Sequence, residues 1–505
     1  MAGDDTQIFA IRNDFTGGIN TRNHGSRIGD NQATILLNVD IGTPGETKKR
    51  PGITLIEDIG DNVGIECFGF APAGGTEEVI AVHGTKLEGW TGSGSFTEHK
   101  TDFSSATAYS LIKGGESGEN DVLFIQNGTD NAFRMNQSHS FQDLGDTNTS
   151  PPITLVNLWY RNRWWTLENN KLSWSDAFSA DYSGAFDRTN DYFNMPVGQE
   201  RALIGIRDQG IIALGEDEIW GINPSTTPVG TDKPEKLLEY GCVANRTAIQ
   251  VGDDIMYLAR DGVRGLFRSQ QDKLQSGRTE PLSYTLKDEF DSITWSSISK
   301  ACAIYFDNKY FLALPVDSST TNNEVWVYYP ALQAWMVITG WNVAGWGKIR
   351  INGEEKLYAI DSTDGKVYQA WSGYDDNGTA INYQEEGRKE NIGKPLILKN
   401  GGEVRVRALS SGDYDLTISI SLDDGEYQTL GTMSLKGNSP TLPATLPFTL
   451  ADDNIVEDVF SIDAYGPWRQ LRIKIQHNAT NGSDDIIIYE RGVVTYEEEY
   501  QPGAR

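Results

Sequence analysis

The sequence predicts an all-β chain: a β-propeller of about seven blades, preceded by an extended arm and followed by a β-sandwich domain. Three observations predict it. An apolar run, a polar turn and a second run with an apolar and usually an aromatic residue recur seven times. The second runs centre on Leu87, Phe133, Leu172, Ile219, Val263, Val325 and Val367, at intervals of 46, 39, 47, 44, 62 and 42 residues. Repeats of about 40–50 residues made of short strands are the mark of propeller blades. Gly is abundant, at 53 of 505 residues against 18 Pro, as many tight turns require. After Trp371 the pattern gives way to strict alternation, as in Glu403-Val404-Arg405-Val406-Arg407-Ala408-Leu409, which describes half-exposed antiparallel strands.

Taken in order, residues 1–60 stand apart from the repeats as an arm. The arm contains Phe15-Thr16-Gly17-Gly18-Ile19-Asn20, an apolar run at 35–39, and turn signals at Pro44-Gly45 and Pro51-Gly52. It has little apolar mass of its own and is expected to lie along other surfaces. Residues 61–380 read as strand–turn–strand throughout. Continuously apolar runs at 78–82, 121–125, 163–167, 210–214, 254–258, 309–314 and 356–360 each precede one copy of the pattern. Such runs suit strands covered on both faces by neighbouring blades, although a stack of sandwiches would read similarly. The 62-residue interval holds a polar stretch at 270–276 and then Thr285-Leu286-Lys287-Asp288-Glu289-Phe290, which suits a short helix inserted on one rim. Residues 381–505 read as a separate sandwich, with a hairpin turn at Asp423-Asp424-Gly425 and an acidic tail around 496–500.

Composition narrows the function classes. The chain is globular, with 38% hydrophobic and 10% aromatic residues, and its net charge is −28. That charge argues against groove-style nucleic-acid binding, which needs Lys and Arg to neutralise phosphates. It suits either the solubility of a large assembly or an acidic passage along which a polyanion slides without sticking. Cys67, Cys242 and Cys302 are odd in number and sit in or beside apolar stretches, so core packing is expected. The five His (His24, His83, His99, His139 and His477) are scattered without ligand spacing, and no metal or cofactor site is expected. The first residues lack the basic and apolar regions of a signal peptide, and no apolar run approaches the roughly 18 residues of a membrane span.

Tests for chemistry find no grafted site. Phosphate-loop, His-Glu-x-x-His and Gly-x-Ser-x-Gly motifs are missing from the sequence. Paired carboxylates such as Asp253/Asp254, Asp375/Asp376 and Asp484/Asp485 fall in predicted turns, where Asx side chains build the turn itself. The run at 361–365 resembles a calcium loop only faintly, and the Ser-x-Asp-x-Gly box of propeller sialidases occurs once, at 421–425, outside the propeller. Trp159-Tyr160, Trp164-Trp165 and Trp326-Val327-Tyr328-Tyr329 lie in predicted interior strands and are expected to be core. No enzymatic activity is expected.

Two regions carry a family resemblance. Phe15-x-Gly17-Gly18-Ile19-Asn20, followed by Asn38-x-Asp40, Gly45 and Arg50-Pro51-Gly52, resembles the N-terminal arm of the tail hub proteins of short-tailed bacteriophages, also called tail nozzle or DNA-stabilisation proteins. The stretches 202–220 and 239–264 resemble blades of that group. The resemblance covers most of residues 10–270 and then the general layout of the rest. It implies a structural virion protein, assembled in the host bacterial cytoplasm, that forms a homohexameric ring below the portal and its adaptor. Such a ring extends the channel for viral DNA, retains the packaged genome and anchors fibres or spikes. The arm would then tie neighbouring subunits together, through Phe15, Gly17, Gly18, Asn20, Arg50 and Pro51. Leu286 and Phe290 of the insertion are the further partner-contact candidates. Six copies would multiply the acidic charge sixfold around the passage. A propeller tail protein that binds or cleaves host polysaccharide is the alternative, and a scaffold propeller inside a cell is a third reading.

Overall fold

In the computed structural model the seven copies of the pattern fall on the third strands of seven antiparallel meanders, six of them small separate sheets and one the start of a larger sheet. The structure describes all residues except 1–6, 13, 61–62, 119–120, 207–209, 229–231, 277–278, 352, 393–394, 410–414, 436–454, 478–484 and 498–505. Blade 1 comprises Gly64–Phe70, Glu78–His83, Lys86–Trp90 and Thr97–Lys100; blade 2 Ser110–Gly114, Val122–Gln126, Phe133–Met135 and Phe141–Asp143. Blade 3 comprises Asn157–Tyr160, Arg163–Glu168, Lys171–Trp174 and Tyr192–Asn194; blade 4 Glu200–Ile206, Gly210–Gly215, Ile219–Ile222 and Glu235–Leu238. Blade 6 is Cys302–Phe306, Lys309–Leu314, Glu324–Tyr329 and Ala334–Thr339. The protein is therefore a seven-bladed propeller.

Local chemistry accounts for these sheets. The second strands of blades 1 and 4 are buried at every position, because a blade on each side covers both faces. Two-residue turns with positive φ at Arg161/Asn162, Asn169/Asn170 and Asp307/Asn308 join consecutive strands with the twist that hairpins need. First strands lie against the first strands of the next blades, 110–114 beside 157–160 and 343–351 beside 64–70, which places them around the axis.

Two blades depart from the plan. Blade 5 has three strands, Ile249–Val251, Asp254–Ala259 and Gly262–Gly265, and then turns directly into the helix Leu266–Ser276. The Asp254 carboxylate accepts the Phe267 and Arg268 backbone N–H groups at 2.8 and 3.3 Å, capping that helix from a neighbouring strand. This helix and the short one at Lys287–Asp291 occupy the long 62-residue interval. Blade 7 has Val343–Ile351, Glu354–Asp361 and Lys366–Ala370 from its own stretch, and its fourth strand is Ile53–Asp58 of the arm. The ring is thus closed by pairing the arm onto the last blade. The expected boundary at residue 61 consequently falls after a propeller strand.

The C-terminal region is a sandwich of two sheets, but it is not separate from the propeller. One sheet runs Val39–Asp40, Thr47–Lys49, Ile487–Glu497, Lys399–Leu409, Ile455–Ser461, with Gln7–Arg12 also paired to Ile487–Glu497. The other continues blade 6: Ala334–Thr339 joins Ala33–Leu37 of the arm in parallel, and Tyr383–Gly387, Leu471–His477, Asp415–Leu422 and Gln428–Ser434 follow. In Lys399–Leu409 the expected alternation is realised, with Val404, Val406 and Ala408 buried and Arg405 and Arg407 exposed. A single apolar cluster joins Phe311 and Trp335 of blade 6 to Val404, Ile418 and Trp468 of the sandwich. The physical reason is the arm strand, which hydrogen-bonds to both units and removes the edge that would have divided them.

Candidate functional site

The arm residues expected to reach other subunits are spent within the chain. Phe15 is 1% exposed and its ring lies 4.7 Å under the Arg491 guanidinium. Arg491 pairs with the Glu385 carboxylate at 2.6 Å, and Glu385 also accepts the Thr47 and Tyr383 hydroxyls at 2.8 and 2.7 Å. Burial pushes the Tyr383 hydroxyl well above its ordinary pKa. Gly18 has φ +67° and passes so close to blade 6 that a Cβ would sit 2.6 Å from the Trp335 nitrogen. Ile19 N–H donates to the Trp335 carbonyl at 3.1 Å and Asn20 N–H to the Ala33 carbonyl at 2.8 Å. Gly17 N–H donates to the Asn31 carbonyl, and the Asn20 amide to Gln32.

Arg50 is the second fastening. Its side chain is fully buried and its two Nη atoms grip Asp376 Oδ1 and Oδ2 at 2.9 and 2.7 Å, the bidentate geometry that suits a carboxylate. Nε donates to Asn38 Oδ1, Nη2 to the Thr339 carbonyl, and the guanidinium lies 4.5 Å over Trp341. The Pro51 carbonyl accepts from Arg50 Nη1 at 3.0 Å, and at Gly52 a Cβ would fall 1.7 Å from the Asp375 carbonyl oxygen. Asp376 was legible only as a turn residue, and its neighbour Asp375 does cap the Gly378 N–H at 2.8 Å. Arm, blade 6, blade 7 and the start of the sandwich meet in this one network.

The insertion behaves similarly. Leu286 is 1% exposed, and Phe290 packs partly buried against the main core and edge-on to Trp295 at 5.5 Å. The arm threads past: Thr21 donates its hydroxyl to Glu289 at 2.7 Å and its N–H to the Thr285 carbonyl at 3.0 Å. Leu286 is therefore turned into the core, while Phe290 keeps part of its ring accessible beside Trp295. The large apolar side chains left open here are Leu274, Tyr284 and Trp295. Their signal in the sequence was their polar surroundings, which do not supply a core.

Two further constellations escaped sequence reading. Arg246, in the short turn before blade 5, donates to Glu66 at 2.9 Å and to the carbonyls of Ile65, Ala344 and Lys300 at 3.0, 2.8 and 3.0 Å. Blades 6 and 7 separate blade 5 from blade 1 in the ring, so this side chain reaches across the axis to the inner strands of blades 1 and 7. Burial pushes the Glu66 carboxyl up, against the pull of Arg246. Cys67, Cys242 and Cys302 are buried and unpaired as expected, and burial raises the Cys302 thiol to about 12.

The other constellation corrects the expectation that the histidines are scattered. His99 of the outer strand of blade 1 and His139 of the turn between the last two strands of blade 2 stack at 3.8 Å. Both present Nε2 to the buried Glu78 carboxylate of blade 1, His99 to Oε2 at 3.1 Å and His139 to Oε1 at 2.8 Å. Gly89 makes the room, since a Cβ there would lie 2.3 Å from His99 Nε2 and 2.4 Å from Glu78 Oε2. Of the aromatics expected in the core, Trp164, Trp165 and Trp326 are at most 1% exposed and Tyr160, Tyr328 and Tyr329 are buried, but Trp159 is only half-buried.

No protein-family model and no curated protein matches the chain. Among solved structures it is similar to BBS1N, crystallised in complex with ARL6DN, at 13% identity over 64% of this chain and 98% of that one, with a TM-score of 0.41. It is also similar to an exo-β-1,3-galactanase from Phanerochaete chrysosporium, at 10% identity over 67% and 95% of the two chains and a TM-score of 0.24. A family 43 arabinoxylan arabinofuranohydrolase from Bacillus subtilis follows at 9% identity, 88% and 99% coverage and a TM-score of 0.26. Likenesses at this level transfer no function; the propeller assignment rests on the sheets themselves.

Proposed function

We propose that the chain is a structural subunit of a short-tailed phage tail, the hub or nozzle ring below the portal and adaptor. One observation carries the reading. The arm motifs that resemble that family, Phe15 to Asn20 and Arg50 to Gly52, are the residues that weld propeller and sandwich into one body. A stiff block of this kind suits the wall of a conduit, in which blades are the product and not a platform for chemistry. Because Arg246 and Glu66 bridge the propeller axis, DNA would pass along the axis of the ring of subunits and not through any propeller. The subunit contacts then belong to outer surfaces, with Leu274, Tyr284 and Trp295 of the insertion offered to a fibre, spike or neighbouring copy.

Imaging of the native particle tests this directly, with mass measurement of the purified protein alone and with its adaptor. A closed ring of several copies, six by expectation, is the predicted result. A monomer that binds or cuts bacterial polysaccharide and is missing from the particle tail would overturn it in favour of the glycan-directed alternative.

A further inference from the structure

We propose that Glu78, His99 and His139 form a site for one divalent first-row transition-metal ion, with zinc as the favoured ion, that fastens blade 1 to blade 2. Two imidazoles and one carboxylate are a borderline-soft donor set suited to zinc; calcium and magnesium prefer oxygen ligands. All three donor atoms lie within 4.8 Å of one another. A tetrahedral zinc with ligands at about 2.0–2.1 Å holds its donors roughly 3.3 Å apart. The present separations, His99 Nε2 to Glu78 Oε2 and His139 Nε2 to Glu78 Oε1, are 3.1 and 2.8 Å, near that spacing, so what the ion requires is reorientation of a ring and not a long approach.

Three independent features of the fold converge on this point. Glu78 is 2% exposed, and among the described residues its ion-pair partners are the two imidazoles. A buried carboxylate needs positive charge nearby, and two imidazolium rings stacked at 3.8 Å would repel, whereas one divalent ion serves both rings. His139 holds φ at +58°, a strained conformation for a residue with a side chain, in a turn braced by Asn136. Gly89, inside a strand where glycine is otherwise unfavourable, clears the space between His99 and Glu78. Ligation requires the His139 ring to tilt out of the stack so that its lone pair points at the ion. That ring is the one of the three side chains with substantial exposure, at 36% against 6% and 3%, so it can move, and it leaves a coordination position open to water.

The test uses the untagged full-length chain, stripped of metal and titrated with Zn²⁺ by calorimetry and with Co²⁺ by visible absorption. One ion per chain is expected, with cobalt bands of low coordination number and a rise in melting temperature on adding zinc. His139 lies on a surface turn with positive φ, so His139→Asn, which tolerates that backbone, is tested beside His139→Ala, with circular dichroism to check that each variant is folded. Loss of the His139 imidazole in the folded variant is the deciding change. It is expected to weaken binding by more than about 100-fold, since loss of a ligand exceeds the 10–100-fold cost of losing an outer partner. His24→Ala, at a histidine beside Lys389 in the arm, is expected to change nothing. Binding of no ion by the wild-type chain, or equal binding by the folded His139→Ala variant, would show a hydrogen-bonded stack only and overturn the proposal.

Discussion

Blades 1 to 4 and blades 5 to 7 are built on the same meander but held in different ways. Each of the first four draws all its strands from one continuous stretch, and their apolar contacts form separate small clusters between successive blades. Blades 5 to 7 are completed by borrowed elements: a helix in blade 5, an arm strand that extends blade 6 into the sandwich, and an arm strand that closes blade 7. Small clusters join blade 4 to blade 5 and blade 7 to blade 1, but the contacts among blades 5, 6 and 7 belong to one large cluster that runs through to the sandwich. The first half is therefore modular, stabilised by neighbours in sequence, while the second half is cooperative, stabilised by pairings hundreds of residues apart. Long-range pairing costs loop-closure entropy before it gains contacts, and in the second half buried ion pairs such as Arg50–Asp376 and Arg491–Glu385 join the segments it brings together.

Four perturbations probe that contrast. The largest effect is expected from removing residues 1–58, which strips the closing strand from Lys366–Ala370 and the bridging strand from blade 6. The truncated chain should aggregate on expression, and co-expressed arm should restore solubility; a soluble truncated chain with cooperative melting would show that the second half is modular too. Next, Arg50→Ala leaves the Asp376 carboxylate without its partner and should cost about 3–5 kcal/mol in denaturant unfolding. In hydrogen exchange the loss should appear across blades 6 and 7 and the sandwich together, leaving blades 2 and 3 protected.

A smaller effect belongs to Glu324 of blade 6, whose carboxyl burial raises to about 7 although Trp326 donates a hydrogen bond to it at 2.8 Å. Its folded value lies above the unfolded one, so stability falls as pH rises from about 4.5 through 7, and the penalty is complete above that window. Glu324→Gln should therefore stabilise the chain by about 1–3 kcal/mol at pH 8 and hardly at all at pH 4.5. Paired melting curves at the two pH values decide this; equal gains at both would place the cause elsewhere. The smallest change is Leu274→Ser, on a side chain 88% exposed, which should alter stability by no more than about 0.5 kcal/mol. If the chain forms the proposed ring, a fall in assembly by that variant would then report a contact surface and not a folding defect.

How much of this was legible follows from distance along the chain. The third strands centred on Leu87, Phe133, Leu172, Ile219, Val263, Val325 and Val367 could be read because each hairpin is specified by an apolar run and its own turn. The alternation at Glu403 to Leu409 could be read for the same reason. Leu286 and Phe290 were recognised as part of an insertion, but nothing in the local pattern reveals that Leu286 is buried or that Thr21 of the arm bonds the same short helix. Asp376 was hidden because its partner Arg50 lies 326 residues away.

By itself, the sequence determined the all-β class, the seven-fold repeat, the place of the insertion and the burial of the cysteines and of most aromatics in the interior strands, since hydrophobic period and turn chemistry act over a few residues. Tertiary structure alone decided that the arm closes the ring, that the sandwich continues blade 6, that Arg246 crosses the axis, and that Glu78 meets His99 and His139 from 21 and 61 residues away. Those outcomes depend on which edges remain unpaired and which charges are left buried once the blades have formed. Both conditions arise only when distant segments compete for the same surface.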